Sequence, residues 1–113
     1  MIAVLFELVP KASCQDKYFS IAGDLRPLLE SIDGFISIER FQSLTDPNKF
    51  LSLSFWRDET AVANWRNLSQ HRAAQKQGRR DIFEQYRLRV ATVSRDYGLD
   101  DRREAPPDSV KAL

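Results

Sequence analysis

The chain has 113 residues, 17 Lys and Arg against 16 Asp and Glu, a formal net charge of +1, and a single cysteine. That length supports one hydrophobic core and hence one domain, and the charge balance excludes a global preference for nucleic acid or an acidic membrane surface. Cys14 alone excludes an intramolecular disulfide, and no apolar run approaches the ~20 residues that span a bilayer. The amino terminus enters a strand pattern directly, without a basic segment, an apolar run and a cleavage site, which implies a cytoplasmic protein with no membrane partner.

Ile2 to Val9 is apolar except for Glu7, in both alternating sets, which marks a strand covered on both faces. Pro10 ends it. Ser13 and Asp16 have the spacing of a capping box, and Tyr18, Ile21, Ala22, Leu25, Leu28, Leu29 and Ile32 form a helical stripe. Pro27 predicts a kink or restart near Asp24, and Gly34 closes the element in the position where a left-handed residue terminates helices. Phe35 to Ser43 and Lys49 to Trp56 read as strands of an antiparallel hairpin, joined by the turn chemistry of Thr45-Asp46-Pro47-Asn48. In the second of them Leu51, Leu53 and Phe55 make one strongly apolar face, with Phe50 and Trp56 on the other.

Asp58 and Glu59 open the central helix. Ala61, Val62, Trp65 and Leu68 share its apolar face, and Asn64, His71 and Gln75 form a polar stripe beside it, because residues three, four and seven apart stack on one side. Gly78 is its expected end. A further helical turn is expected over Asp81 to Glu84. Tyr86, Leu88, Val90 and Thr92 then alternate with Arg87, Arg89, Ala91 and Val93 in a last strand. From Gly98 onward the chain is polar and contains two prolines, so residues 98–113 are expected to be disordered or packed on a partner subunit.

The order strand, helix, strand, strand, helix, strand is the split βαβ of an α+β, ferredoxin-like fold: a four-stranded antiparallel sheet with both helices on one face. The first strand is apolar on both sides and the third is close to it, so the uncovered face predicts a homodimer with the sheets face to face.

The runs Ser52-Leu-Ser-Phe-Trp-Arg-Asp-Glu-Thr-Ala-Val-Ala-Asn-Trp-Arg, His71-Arg-Ala-Ala-Gln-Lys-Gln-Gly-Arg and Tyr86-Arg-Leu-Arg-Val-Ala resemble the antibiotic biosynthesis monooxygenase (ABM) family of dimeric α+β barrels. With the first strand and the hairpin, the likeness covers residues 2–97, a single domain of residues 1–97 without the tail. It implies an oxidoreductase. Trp65 matches the helix tryptophan that lines the pocket in both the polyketide-oxygenase and the haem-degrading branches. The haem branch places its proximal histidine where this chain has Gln75, and Gln is not a usual axial ligand. The resemblance therefore implies a monooxygenase without a cofactor, in which an electron-rich phenolate or enolate itself reduces dioxygen.

On this reading His71 and Asn64 are the catalytic candidates, and Trp65, Gln75 and Tyr86 line the site of a small hydrophobic aromatic, quinol or polyketide-like substrate. His71 is the only side chain whose unperturbed pKa suits proton transfer near neutrality. Against each stands a plainer role: core packing for Trp65, a surface or cap position for His71, a solvated helix side for Asn64 and Gln75, a strand-edge phenol for Tyr86. A non-catalytic ligand-binding or stress-response protein of the same fold is the alternative. An RNA-binding domain shares the strand order, but the third strand lacks the glycines of the Lys/Arg-Gly-Phe-Gly-Phe type.

Overall fold

The computed structural model describes residues 1–76 and 81–110, and the side chains of residues 69–76 lie outside the described residues. In chain order the elements are β1 (Ile2–Pro10), a 3₁₀ turn (Ala12–Cys14), α1 (Gln15–Glu30), β2 (Phe35–Gln42), β3 (Phe50–Trp56), α2 (Glu59–Lys76) and β4 (Phe83–Thr92). The strands form one antiparallel sheet in the order β2-β3-β1-β4, so the two helix-linked strands are central or flanking as the split βαβ requires.

Cross-strand partners share a face, and the register therefore sorts the sheet. Ile2, Val4, Phe6 and Leu8 of β1 lie opposite Trp56, Ser54, Ser52 and Phe50 of β3 and opposite Thr92, Val90, Leu88 and Tyr86 of β4. This set faces the helices: Leu29, Ala61 and Val62 pack on Ile2 and Trp56 at one end, and Tyr18 and Ala22 pack on Leu8 and Phe50 at the other. The strongly apolar set of β3, Leu51, Leu53 and Phe55, turns away from them and is only half-buried. The serines, not the leucines, lie under the helices, because the large Phe50 and Trp56 at the ends of β3 are the residues that fill the space below α1 and α2.

Three local expectations change. The box at Ser13 and Asp16 does not form: no side chain caps either helical start, and the amide of Cys14 instead donates to the Lys11 carbonyl at 2.8 Å. α1 runs through Pro27 as one helix. Proline there deprives the Gly23 carbonyl of its helical donor, and no atom crowds the Gly23 position. Asp81 and Ile82 make a single turn before β4, which starts at Phe83 rather than Tyr86. Gly78 lies outside the described residues.

Gly34 takes φ +95°, and its carbonyl accepts from the Arg57 amide at 2.7 Å. The Arg57 guanidinium bridges Asp33 (3.1 and 3.2 Å) and Asp58 (3.2 Å), and Asp58 Oδ1 caps α2 by accepting from the Ala61 amide at 2.9 Å. The end of α1 and the start of α2 are thus tied by one cation. Residues 94–110 fold into turns around Arg102, which donates to the carbonyls of Gly98 (3.1 Å) and Ser109 and lies over the Tyr97 ring at 5.1 Å. Among the described residues no helix is long and apolar enough to cross a membrane.

Candidate active-site groove

The helix-side core is split. One cluster gathers Ile2, Leu29, Trp56, Ala61 and Val62, with Trp65 packed against it. The other gathers Leu8, Tyr18, Ala22, Phe50 and Ile82, with Phe6 and Phe83 alongside. Between them the floor of the sheet is made by Ser52 and Ser54 of β3, 8% and 6% exposed, flanked by Val4 and Phe6 of β1. Small hydroxyl side chains thus occupy the middle of the helix-side face with large apolar ones at both ends, and this strip of the sheet, with Val4 and Phe6 beside it, is called the trough below. On the β4 side it opens to solvent: Tyr86, Leu88 and Val90 are 52%, 49% and 46% exposed although they belong to the helix-side face.

Trp65 is half-buried and stacks on Trp56, ring centroids 6.5 Å apart at 27°. The Trp56 indole in turn donates to Ser54 Oγ at 2.9 Å, which fixes both the hydroxyl and the ring beneath Trp65. Tyr86 meets the ring of Phe6 at 5.5 Å and that of Phe83 at 5.6 Å. Tyr86 pairs with Leu8 and Trp56 pairs with Ile2, so Tyr86 and the Trp56 ring on which Trp65 stacks belong to opposite ends of the sheet, about 20 Å apart along the strands at ~3.3 Å per residue. They bracket the trough rather than meet in it. Asn64 is exposed on α2. His71 and Gln75 belong to the same helix, but their side chains fall outside the described residues.

A residue that periodicity alone passed over is Arg40. It lies on the helix side of β2 opposite Ser52 and borders a cleft of about 460 Å³ shared by Arg26 of α1, Ile38 and Glu39 of β2, and Leu53 and Phe55 of β3. The signal in the sequence was an arginine on the inward phase of a strand. No cluster of three or more His, Cys, Asp or Glu suited to a metal ion occurs among the described residues.

Among the described residues the pKa shifts concern the joint between the helices and the Asp101–Arg103 pair of the carboxy-terminal turns, not the trough. Hydrogen bonding to Arg57 and its charge lower the Asp33 carboxyl. The Ala61 amide, followed by the Arg57 side chain, lowers that of Asp58.

The family model described as antibiotic biosynthesis monooxygenase matches residues 1–77. The chain is 49% identical over 94 residues to jasmonate monooxygenase ABM of Pyricularia oryzae, an alignment that covers 83% of this chain and 44% of that protein. The chain thus spans less than half the length of this relative. Among solved structures, it is similar to one from Mycobacterium tuberculosis (TM-score 0.74, 12% identity, 86% of this chain and 98% of that one). It is also similar to SnoaB, a cofactor-independent oxygenase from Streptomyces nogalater (TM-score 0.67, 11% identity, 84% and 94%). At these identities the structural likeness shows the shared fold.

Proposed function

The chain belongs to the antibiotic biosynthesis monooxygenase family, and from that membership we propose that it is a cofactor-independent monooxygenase of a small hydrophobic substrate bound in the trough. The observation that carries this reading is the 49% identity with a jasmonate monooxygenase over 83% of the chain. The trough supports it chemically. Apolar walls from Val4, Phe6, Leu88 and Val90 suit a carbon-rich ligand, and the hydroxyls of Ser52 and Ser54 supply a narrow polar floor.

In the proposed reaction a general base removes a proton from a carbon or phenol made acidic by conjugation. The resulting anion passes electrons to dioxygen. A CH₂ group plus O₂ becomes C=O plus H₂O, so the substrate supplies all four electrons and no external reductant is consumed. His71 is the proposed base, with Asn64 and Gln75 as hydrogen-bonding groups on the same helix and Trp65 and Tyr86 as the aromatic walls. Quinols, aromatic polyketides and ketones with an activated methylene share this chemistry. The name of the Pyricularia relative adds jasmonate, a cyclopentanone acid, to the compounds worth testing.

We further propose a homodimer formed through the sheet face that points away from the helices, where Leu5, Leu51, Leu53 and Phe55 are half-buried and Phe41 is 43% exposed.

The test is oxygen uptake by metal-free protein offered a panel of quinols, aromatic polyketides and jasmonate, with product analysis under ¹⁸O₂. One labelled oxygen atom in the product per O₂ consumed is expected. Saturable binding without oxygen uptake for every compound would leave a ligand-binding module instead.

A further inference from the structure

The sheet face that points away from the helices carries a directional charge pattern. Cross-strand register sets Glu39 of β2, Leu53 of β3, Leu5 of β1 and Arg89 of β4 in one row across the sheet. The row is acidic at one edge, basic at the other and apolar between. Glu39 is exposed, and its carboxylate has no ion pair or hydrogen bond among the described residues. On the β4 side cations are in surplus. Glu7 is shared by Arg89 at 3.3 Å and Lys49 at 3.5 Å, and the exposed Arg87 stands opposite it on β4. One carboxylate meets three cations there, while Glu39 stands alone at the β2 edge.

The cleft of about 460 Å³ lies around Glu39: Ser37, Leu53 and Phe55 line it on this face, and Ile38, Arg40 and Arg26 border it from the helix side. Arg26 is already paired with Glu30 at 2.9 Å. A row of this kind is self-complementary. A half-turn about an axis parallel to the strands, between Leu5 and Leu53, lays the row on its own reversed copy, so that leucine meets leucine and acid meets base at both edges. Glu39 and Arg89 are three strand spacings apart, so each lies about 7 Å from that axis. The ~30° between aligned packed sheets shifts the edge partners by only about 4 Å, and the ~10 Å between such sheets is spanned by the two side chains together. The neighbouring row, Ser37, Phe55, Ala3 and Ala91, also fits when reversed, because its large Phe55 falls over a small alanine.

We infer that the cleft is the socket for the partner's Arg89 in a pair of identical chains, where it meets Glu39, and that the partner's Glu39 receives Arg89 of the first protomer in the same way. Leu53 and Phe55 flank the aliphatic stem of the incoming arginine, and the carboxylate accepts its planar fork. A guanidinium has five donors, so Arg89 keeps Glu7 while it reaches across. The inference rests on the proposed homodimer and adds its orientation: β2 of one protomer lies across β4 of the other. Both troughs then face outward, each built from one chain.

Sedimentation equilibrium of the full chain over a range of concentrations reads the dimer dissociation constant. Glu39→Arg and Arg89→Glu should each weaken dimerisation roughly a hundredfold, since like charges then face each other at both edges. The loss should shrink as salt rises. Mixing the two variants should restore a dimer of near wild-type strength, because in the mixed pair both contacts join opposite charges. A merely destabilised protomer gives no such recovery. If Arg89→Glu does not fold beside Glu7, the neutral variants Glu39→Gln and Arg89→Gln replace it. Within one chain these positions are about 14 Å apart, where independent effects add, so non-additive losses of dimer affinity are expected only from contact between protomers. A monomeric wild type would sink the homodimer and the pairing together. A wild-type dimer that tolerates Glu39→Arg, or whose variants neither recover on mixing nor depart from additivity, would overturn the pairing and leave the homodimer standing.

Discussion

The indole of Trp56 donates to the hydroxyl of Ser54 two residues earlier on the same strand, at 2.9 Å and fully inside the protein. Residues two apart on a strand share a face, so the bond needs no help from another element and fixes the ring on which Trp65 stacks. Ser54→Ala removes the acceptor and leaves a buried N–H unsatisfied. Chemical denaturation should show a loss of about 1–3 kcal/mol. A change below about 0.3 kcal/mol would mean that water replaces the hydroxyl.

Gly34 permits a close approach that no other residue allows. A Cβ there would lie 2.8 Å from Ala61 Cβ, and the backbone is at φ +95°. Gly34→Ala should destabilise the fold by about 2 kcal/mol, from left-handed strain together with the displacement of the first turn of α2. A thermal melt would register this as a fall of roughly 8–16 °C.

Asp33 and Asp58 both have folded-state pKa values below their ordinary ones. A depressed carboxylate contributes stability that is present above its unfolded pKa, near ~3.9, and is lost as pH falls through the lower folded value. Acid unfolding of the wild type should therefore steepen below about pH 4, and the double variant Asp33→Asn, Asp58→Asn should flatten that dependence. Parallel acid titrations of the two proteins would expose the error in this assignment.

Trp65 and His71 should separate binding from turnover. Trp65→Ala removes an aromatic wall and should weaken ligand affinity, as well as cost about 2 kcal/mol of stability for a half-buried ring. His71→Ala should lower kcat by roughly 10²–10⁴ with a smaller effect on binding. Equal kcat for His71→Ala and wild type would remove His71 from the mechanism.

Leu53→Lys places a charge in the middle of the sheet face proposed as the dimer contact. Sedimentation at micromolar concentration should show a dimer for the wild type and a monomer for the variant. A monomeric wild type would refute the contact.

The element order, the hairpin and the Asp58 start of α2 were readable because each has a local cause: a two-residue period, turn chemistry, a capping carboxylate. Which face of β3 the helices cover was not. Leu51, Leu53 and Phe55 outweigh Ser52 and Ser54 in hydrophobicity, yet the helices settle on Phe50 and Trp56, and only three-dimensional packing puts those two ends under α1 and α2. The candidate site was readable in part. Trp65 and Tyr86 do lie on the helix side, but nothing in their spacing along the chain reveals that the sheet register sets Tyr86 and the Trp56 ring beneath Trp65 at opposite ends. Arg40 escaped notice because an arginine on a strand reads as solvated until its cross-strand partner, Ser52, is known to be buried.

The two clusters at the ends of the sheet have a consequence for how such a protein diversifies. The large buried anchors, Trp56 and Leu8, sit in separate clusters, and the span between them rests on small or half-buried side chains. Mutations at Ser52 or Leu88, which belong to neither cluster, can therefore reshape the ligand bed while the anchoring contacts stay intact. A lineage built this way can drift from one substrate to another through viable intermediates, with the scaffold's folding and its chemical taste evolving under separate selection.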